Sequence, residues 1–177
     1  TRAFMTTDAF PKFSSRELQM DGGVVRLTVM AKGAGMICPN MATMLCVALT
    51  DADVQREPWQ AMFHRAVEQT FNRVSVDGDT STNDTCLVLA NGMAGNAEIT
   101  EKNADYEEFC KALNYVNETL AKKMAGDGEG CTALFEVKVI GAESKAQAVT
   151  LSKSIITSSL TKAAIFGHDA NWGRILC

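Results

Sequence analysis

A layered α/β domain is the fold class this sequence predicts, and three observations predict it. An Asp21-Gly22-Gly23 turn sits between two strand-like runs. Beyond it, apolar runs of strand length alternate with segments whose apolar residues recur at helical spacing. No internal repeat and no linker interrupts the 177 residues, which is a one-domain length able to bury a sizeable core.

Glu17-Leu18-Gln19-Met20 and Val24 to Met30 flank that turn, and Asp-Gly between such runs signals a hairpin. A loop from Lys32 to Ala42 follows. Thr43 to Thr50 reads as a strand buried on both faces, because its apolar run is nearly continuous. Pro58 suits the first turn of a helix. Trp59, Met62, Phe63, Ala66, Val67 and Phe71 share one helical face, which predicts a helix over 58–73. His64 falls off that stripe and reads as a surface residue. Asp77 to Thr85 is a polar loop, and Cys86-Leu87-Val88-Leu89-Ala90 after it reads as a short buried strand. Tyr106, Phe109, Leu113, Val116 and Leu120 predict a helix over 104–124, which Gly126-Asp127-Gly128-Glu129-Gly130 ends. Phe135, Val137 and Val139 alternate with Glu136 and Lys138, the pattern of a strand with one buried face. A helix is expected over 143–158, and Lys162 to Phe166 reads as a last strand before Gly167.

Composition narrows the function. A formal charge of −4 argues against a broad nucleic-acid surface, which needs clustered Lys and Arg. No apolar run approaches the roughly 20 residues of a membrane-spanning helix. The first residues resemble neither a signal nor a transit peptide. The six cysteines contain no Cys-x-x-Cys pair, so free thiols in a reducing cytoplasm are expected. His64 and His168 stand apart, and no metal site and no cofactor is expected. The chain starts without methionine and stops inside what reads as an ongoing element, so a piece of a longer protein is expected.

Chemistry concentrates around Thr43. The run Lys32-Gly33-Ala34-Gly35-Met36-Ile37-Cys38-Pro39-Asn40-Met41-Ala42-Thr43 brings a glycine- and proline-rich loop to a small residue, then a threonine, then a strand. A threonine hydroxyl needs a nearby base to become a nucleophile. If the chain breaks before Thr43, the freed α-amine, which titrates at about 7.7–8.0, is that base. The bland reading is a threonine that merely starts a strand. Rival motifs fail on their own terms. Gly33-Ala34-Gly35 lacks the rest of a dinucleotide fingerprint or a P-loop. Asp77, Asp79, Ser81 and Asn83 mimic the start of a calcium loop, but Thr82 and Val88 occupy the positions that need glycine and glutamate. That loop reads instead as a polar turn with side-chain-to-backbone bonds, denser than a simple connection requires. No Gly-x-Ser-x-Gly motif accompanies His168-Asp169, which removes the usual serine triad.

Four segments taken together resemble the ornithine acetyltransferase (ArgJ) family of glutamate N-acetyltransferases. They are the run from Lys32 to Leu45, Ser75 to Thr85, Asp127-Gly128-Glu129-Gly130, and Ala170-Asn171-Trp172-Gly173-Arg174. The match runs in order along essentially the whole chain. The resemblance implies a layered αββα-like sandwich of mixed sheet and helices. It implies a precursor that cuts itself between Ala42 and Thr43, so that 1–42 end an α chain and 43–177 begin a β chain. It places substrate contacts on Thr6, Lys32, Thr43 and Glu129, with Thr43 as the nucleophile. It implies acetyl transfer from N-acetylornithine to glutamate through an acetyl-threonine, in arginine biosynthesis, with acetyl-CoA as a possible second donor. The remaining α and β segments are the implied partners, in an α2β2 assembly. The family's oxyanion hole is a Thr-Gly pair upstream of this chain, so the isolated chain is expected to be inactive. The alternatives are an amidohydrolase or aminopeptidase on the same self-cleaving scaffold, and a non-catalytic fragment with exposed apolar surface.

Overall fold

The computed structural model of the chain describes residues 1–38, 44–80, 83, 85–101 and 103–177. Its centre is a four-stranded mixed sheet in sequence order. Strands β1 (Lys12–Met20) and β2 (Gly23–Lys32) form the expected hairpin, paired from Lys12↔Ala31 to Met20↔Gly23. Gly22 makes the turn possible. Its φ is +86°, and an added Cβ would lie 3.1 Å from the Gly95 carbonyl oxygen. Strand β3 (Leu45–Thr50) runs antiparallel to β2, and β4 (Thr85–Ala90) runs parallel to β3. The β3–β4 crossover carries helix α1 (Arg56–Gln69), as a parallel connection requires.

Helix α1 and the longer α2 (Ala104–Ala125) cover one face of the sheet. Asn103 starts α2 by accepting the Tyr106 N–H. Trp59 stands edge-on to Phe63 at 5.9 Å and to Phe109 at 5.3 Å, joining the two helices. Beneath them lie Val25, Leu27 and Val29 of β2 and Cys46 and Ala48 of β3, all buried. The helical stripe holds through Val67, while Phe71 is buried in a separate 3-10 turn, Phe71–Arg73. His64 is exposed, as expected.

Four expectations change. The β3 run is buried on only one face. Cys46 and Ala48 are inside, whereas Leu45 keeps 36% of its surface exposed. Strand β4 is likewise half-covered, with Leu87 and Leu89 exposed. A continuous apolar run says that both faces are apolar, not that both are covered. Residues 131–140 form no ladder, although Phe135, Val137 and Val139 keep the expected alternation as half-buried residues. Alternation is local, whereas a strand needs a partner edge. Residues 159–166 are helix α4 (Ser159–Phe166), not a strand. Ser158 caps it by accepting the Thr161 N–H, and a short apolar run alone does not separate strand from helix. The expected helix over 143–158 is α3 (Lys145–Thr157), capped by Ser144, and a short α5 (Gly173–Leu176) follows.

Candidate functional site

Strand β2 ends at Lys32, where the glycine loop begins. Gly33 has φ +153°, and Met36 sits at φ +55°, in the left-handed region that bulky side chains rarely occupy. Asp77 holds that conformation from the polar loop. Its carboxylate accepts the Met36 N–H at 2.5 Å and the Ile37 N–H at 3.0 Å. It also accepts the Asp79 N–H, making the local turn that the sequence suggested. The Thr80 hydroxyl donates to the Cys38 carbonyl at 3.1 Å. Asp77 and Thr80 thus account for part of the surplus of polar residues in this loop. It braces the segment that leads toward residues 39–43.

Three of the expected substrate contacts border the glycine loop, Thr6 and Lys32 at its start and Glu129 at Ala34 and Gly35. The Lys32 ammonium donates to the Thr6 hydroxyl at 3.2 Å. The Glu129 N–H donates to the Ala34 carbonyl at 2.9 Å. Glu129 also brings its carboxylate against Gly35, where an added Cβ would lie 2.9 Å from both Cδ and Oε1. Positive and negative side chains therefore occupy one loop rim. Ala42 and Thr43 lie outside the described residues, while Met44, next along the chain, is buried and its carbonyl accepts the Thr85 N–H.

Beneath the rim is a buried charge cluster that sequence reasoning missed. Lys12 has a fully buried side chain, and its ammonium lies 2.6 Å from Asp8 Oδ1 and 2.5 Å from Asp127 Oδ2. Asp8 Oδ1 also accepts the Gly33 N–H at 2.8 Å, and Asp8 Oδ2 accepts the Thr6 N–H at 3.3 Å. Asp127 accepts the Ala9 N–H at 3.1 Å. Burial alone raises the Asp8 pKa, but the Lys12 ammonium and the two N–H donors outweigh it and hold the carboxyl below the ordinary value of 3.8. One signal was available. Lys12 shares the strand face of Leu18 and Met20, the core-facing parity of the hairpin, but the hairpin was read only from Glu17.

Cys46 and Cys110 are poor rivals to a hydroxyl nucleophile. Contact with the Cys86 thiol, then burial, pushes the Cys46 thiol well up. Burial also raises the Cys110 thiol, although Arg65 Nη2 donates to it at 2.8 Å. Among the described residues, no three His, Cys, Asp or Glu side chains are grouped to hold a metal ion. No helix there is long and apolar enough to cross a membrane.

The fold and rim define an α/β domain that presents the Lys32 ammonium and the Glu129 carboxylate beside a braced glycine loop. A family model described as the ArgJ family matches residues 1–177. The chain belongs to the ArgJ family. It is 54% identical over 175 residues to the arginine biosynthesis bifunctional protein ArgJ of Nitratidesulfovibrio vulgaris, covering 99% of this chain and 44% of that protein. It is 48% identical over 175 residues to the mitochondrial ArgJ of Schizosaccharomyces pombe, covering 99% of this chain and 39% of the relative. The crystal structure of the Bacillus halodurans ArgJ superposes with a TM-score of 0.70 at 47% identity, over 72% of this chain and 60% of that one. The chain thus spans less than half the length of these curated relatives.

Proposed function

We propose that this chain carries the nucleophile and part of the substrate site of an enzyme that moves an acetyl group from N-acetylornithine to glutamate. The observation that carries the reading is the loop that leads toward Thr43, bordered by Lys32 and Thr6 at its start and by Glu129 at Ala34 and Gly35. An amino-acid substrate presents a carboxylate and an ammonium. Lys32 suits the first and Glu129 the second.

Maturation begins when the Thr43 hydroxyl attacks the Ala42 carbonyl, and the acyl group shifts from nitrogen to oxygen. Water then hydrolyses the ester, leaving a carboxylate on Ala42 and a free amine on Thr43. In turnover, Thr43 Oγ attacks the acetyl carbonyl of N-acetylornithine. Its proton passes through the Thr43 amine to the departing ornithine nitrogen. The glutamate amine then attacks the acetyl-threonine ester, and Thr43 Oγ recovers a proton as N-acetylglutamate leaves. This is covalent catalysis in two half-reactions. Residues 1–42 close the α chain and 43–177 open the β chain in this scheme. The uncovered sheet face of Leu45, Leu87 and Leu89 supports a partner role for the remaining segments, in an α2β2 assembly.

The first test is the intact mass of the chain under denaturing conditions. Two pieces, the larger starting at Thr43, are expected once the remaining segments are supplied. A single 19.1 kDa piece in their presence would sink the reading. Glutamate-dependent release of ornithine separates transfer from hydrolysis to water, and glutamate-dependent release of CoA tests acetyl-CoA as a second donor. Loss of one oxyanion-hole donor typically lowers kcat by about 10²–10³, so the isolated chain is expected to show no measurable transfer.

Gly35→Ala tests the Glu129 contact. Gly35 needs no left-handed φ, so its backbone accepts alanine, but the new methyl must displace the Glu129 carboxylate. In the full-length enzyme KM for N-acetylornithine is expected to rise about tenfold, equivalent to roughly 1.4 kcal/mol of lost binding. Stability should be nearly unchanged. Steady-state kinetics with an unchanged KM would remove Glu129 from the site.

A further inference from the structure

The residues at the rim belong to three stretches of chain that neither the sheet ladder nor a helix holds in mutual position. Thr6 lies before β1, Lys32 at the end of β2, and Glu129 beyond the end of α2. Two direct hydrogen bonds join them, Lys32 to Thr6 and the Glu129 N–H to the Ala34 carbonyl, and a second, buried set of links converges on Lys12. Its ammonium holds Asp8, which in turn holds the N–H groups of Thr6 and Gly33, the latter adjacent to Lys32. The same ammonium holds Asp127, two residues from Glu129, and Asp127 ties back to the N-terminal stretch at Ala9. We propose that the buried Lys12 ammonium, bridged to Asp8 and Asp127, is a positioning device that sets the spacing among Thr6, Lys32 and Glu129, across which a zwitterionic amino-acid substrate is gripped.

The physical case rests on directionality. Apolar packing tolerates sliding, whereas a buried ammonium between two carboxylates fixes distances and angles through charge-assisted hydrogen bonds. A cluster with two carboxylates and one ammonium is a poor device for stability alone, since apolar residues of the same volume often stabilise as well or better. Its geometry suits registry. The backbone donors of Thr6, Ala9 and Gly33 occupy further lone pairs of the two carboxylates, so a shift of one stretch breaks bonds to the others.

The inference rests on the reading of Lys32 and Glu129 as substrate contacts, and its test separates the two. In the full-length enzyme, Lys32→Met and Glu129→Gln test that reading, and Asp127→Asn tests the positioning device. Asparagine keeps the volume and one acceptor but removes the charge that holds the ammonium. Asp127→Asn is expected to raise KM for N-acetylornithine and for glutamate about tenfold, with kcat within threefold and self-cleavage intact. Amide exchange at Gly33 should quicken, although Asp127 does not touch it. If Lys32→Met and Glu129→Gln raise KM while Asp127→Asn does not, the device is overturned and the substrate reading stands. If all three leave KM unchanged, the substrate reading falls and takes the inference with it. Should Asp127→Asn not fold, Asp8→Asn breaks the other bridge and is judged by the same split between KM and kcat.

Discussion

Thr43→Ala in the full-length enzyme is expected to abolish self-cleavage and to lower acetyl transfer by about 10⁴-fold or more, the scale on which enzymes respond to loss of a covalent nucleophile. Both losses have one cause. The hydroxyl that opens the Ala42 peptide is the hydroxyl that later takes the acetyl group, and the α-amine that serves as its base exists only after the cut. Thr43→Ser keeps the hydroxyl and is expected to cleave and turn over at a reduced rate. Thr43→Ala should run as one uncut band on a denaturing gel, and hydroxylamine treatment should release no acetohydroxamate from it, since no acetyl ester forms. A Thr43→Ala enzyme that still splits at that bond, or still transfers acetyl groups, would rule out the mechanism.

Lys12→Met is expected to destabilise the fold by about 3–5 kcal/mol at neutral pH, because it leaves Asp8 and Asp127 facing each other without their shared cation. That is a large share of the roughly 5–15 kcal/mol that holds a domain together. Acid distinguishes the variant from the native protein. In the native protein the Asp8 carboxyl is held below 3.8. Its stabilisation is therefore fully present above that value and is lost as the pH falls through the lower folded value. In Lys12→Met, a proton shared between the facing carboxylates relieves their repulsion, so mild acid should stabilise the variant. Thermal melts from pH 7 down to pH 4 should show the variant's Tm rising while the native protein's holds. Parallel curves would mean that the ammonium does not hold the pair.

The helices were legible because their signal is local. Trp59, Met62, Phe63, Ala66 and Val67 on one face, and Phe109, Leu113, Val116 and Leu120 on another, mark α1 and α2 in the sequence as in the fold. The Asp21-Gly22 hairpin was legible for the same reason. Residues 131–140 read as a strand because the ladder partner they lack is not a local feature, whereas α4 reads as one because its short apolar run masks the helix that the adjacent Ser158 cap starts. Thr6, Lys32 and Glu129 entered through the family resemblance. Nothing in their spacing says that they share a rim.

By itself the sequence determined the α/β class, the hairpin, the two covering helices and, through its motifs, the family. Each of these is written in periodicity, turn chemistry or motif, which a reader of adjacent residues can see. Only the tertiary structure decided that one sheet face stays uncovered, that Asp77 braces the glycine loop, and that Lys12 joins Asp8 to Asp127 beneath the rim. Those facts depend on contacts between residues far apart in the chain. A buried lysine reads in sequence like any surface lysine until the strand parity and the two carboxylates that neutralise it are brought together in space.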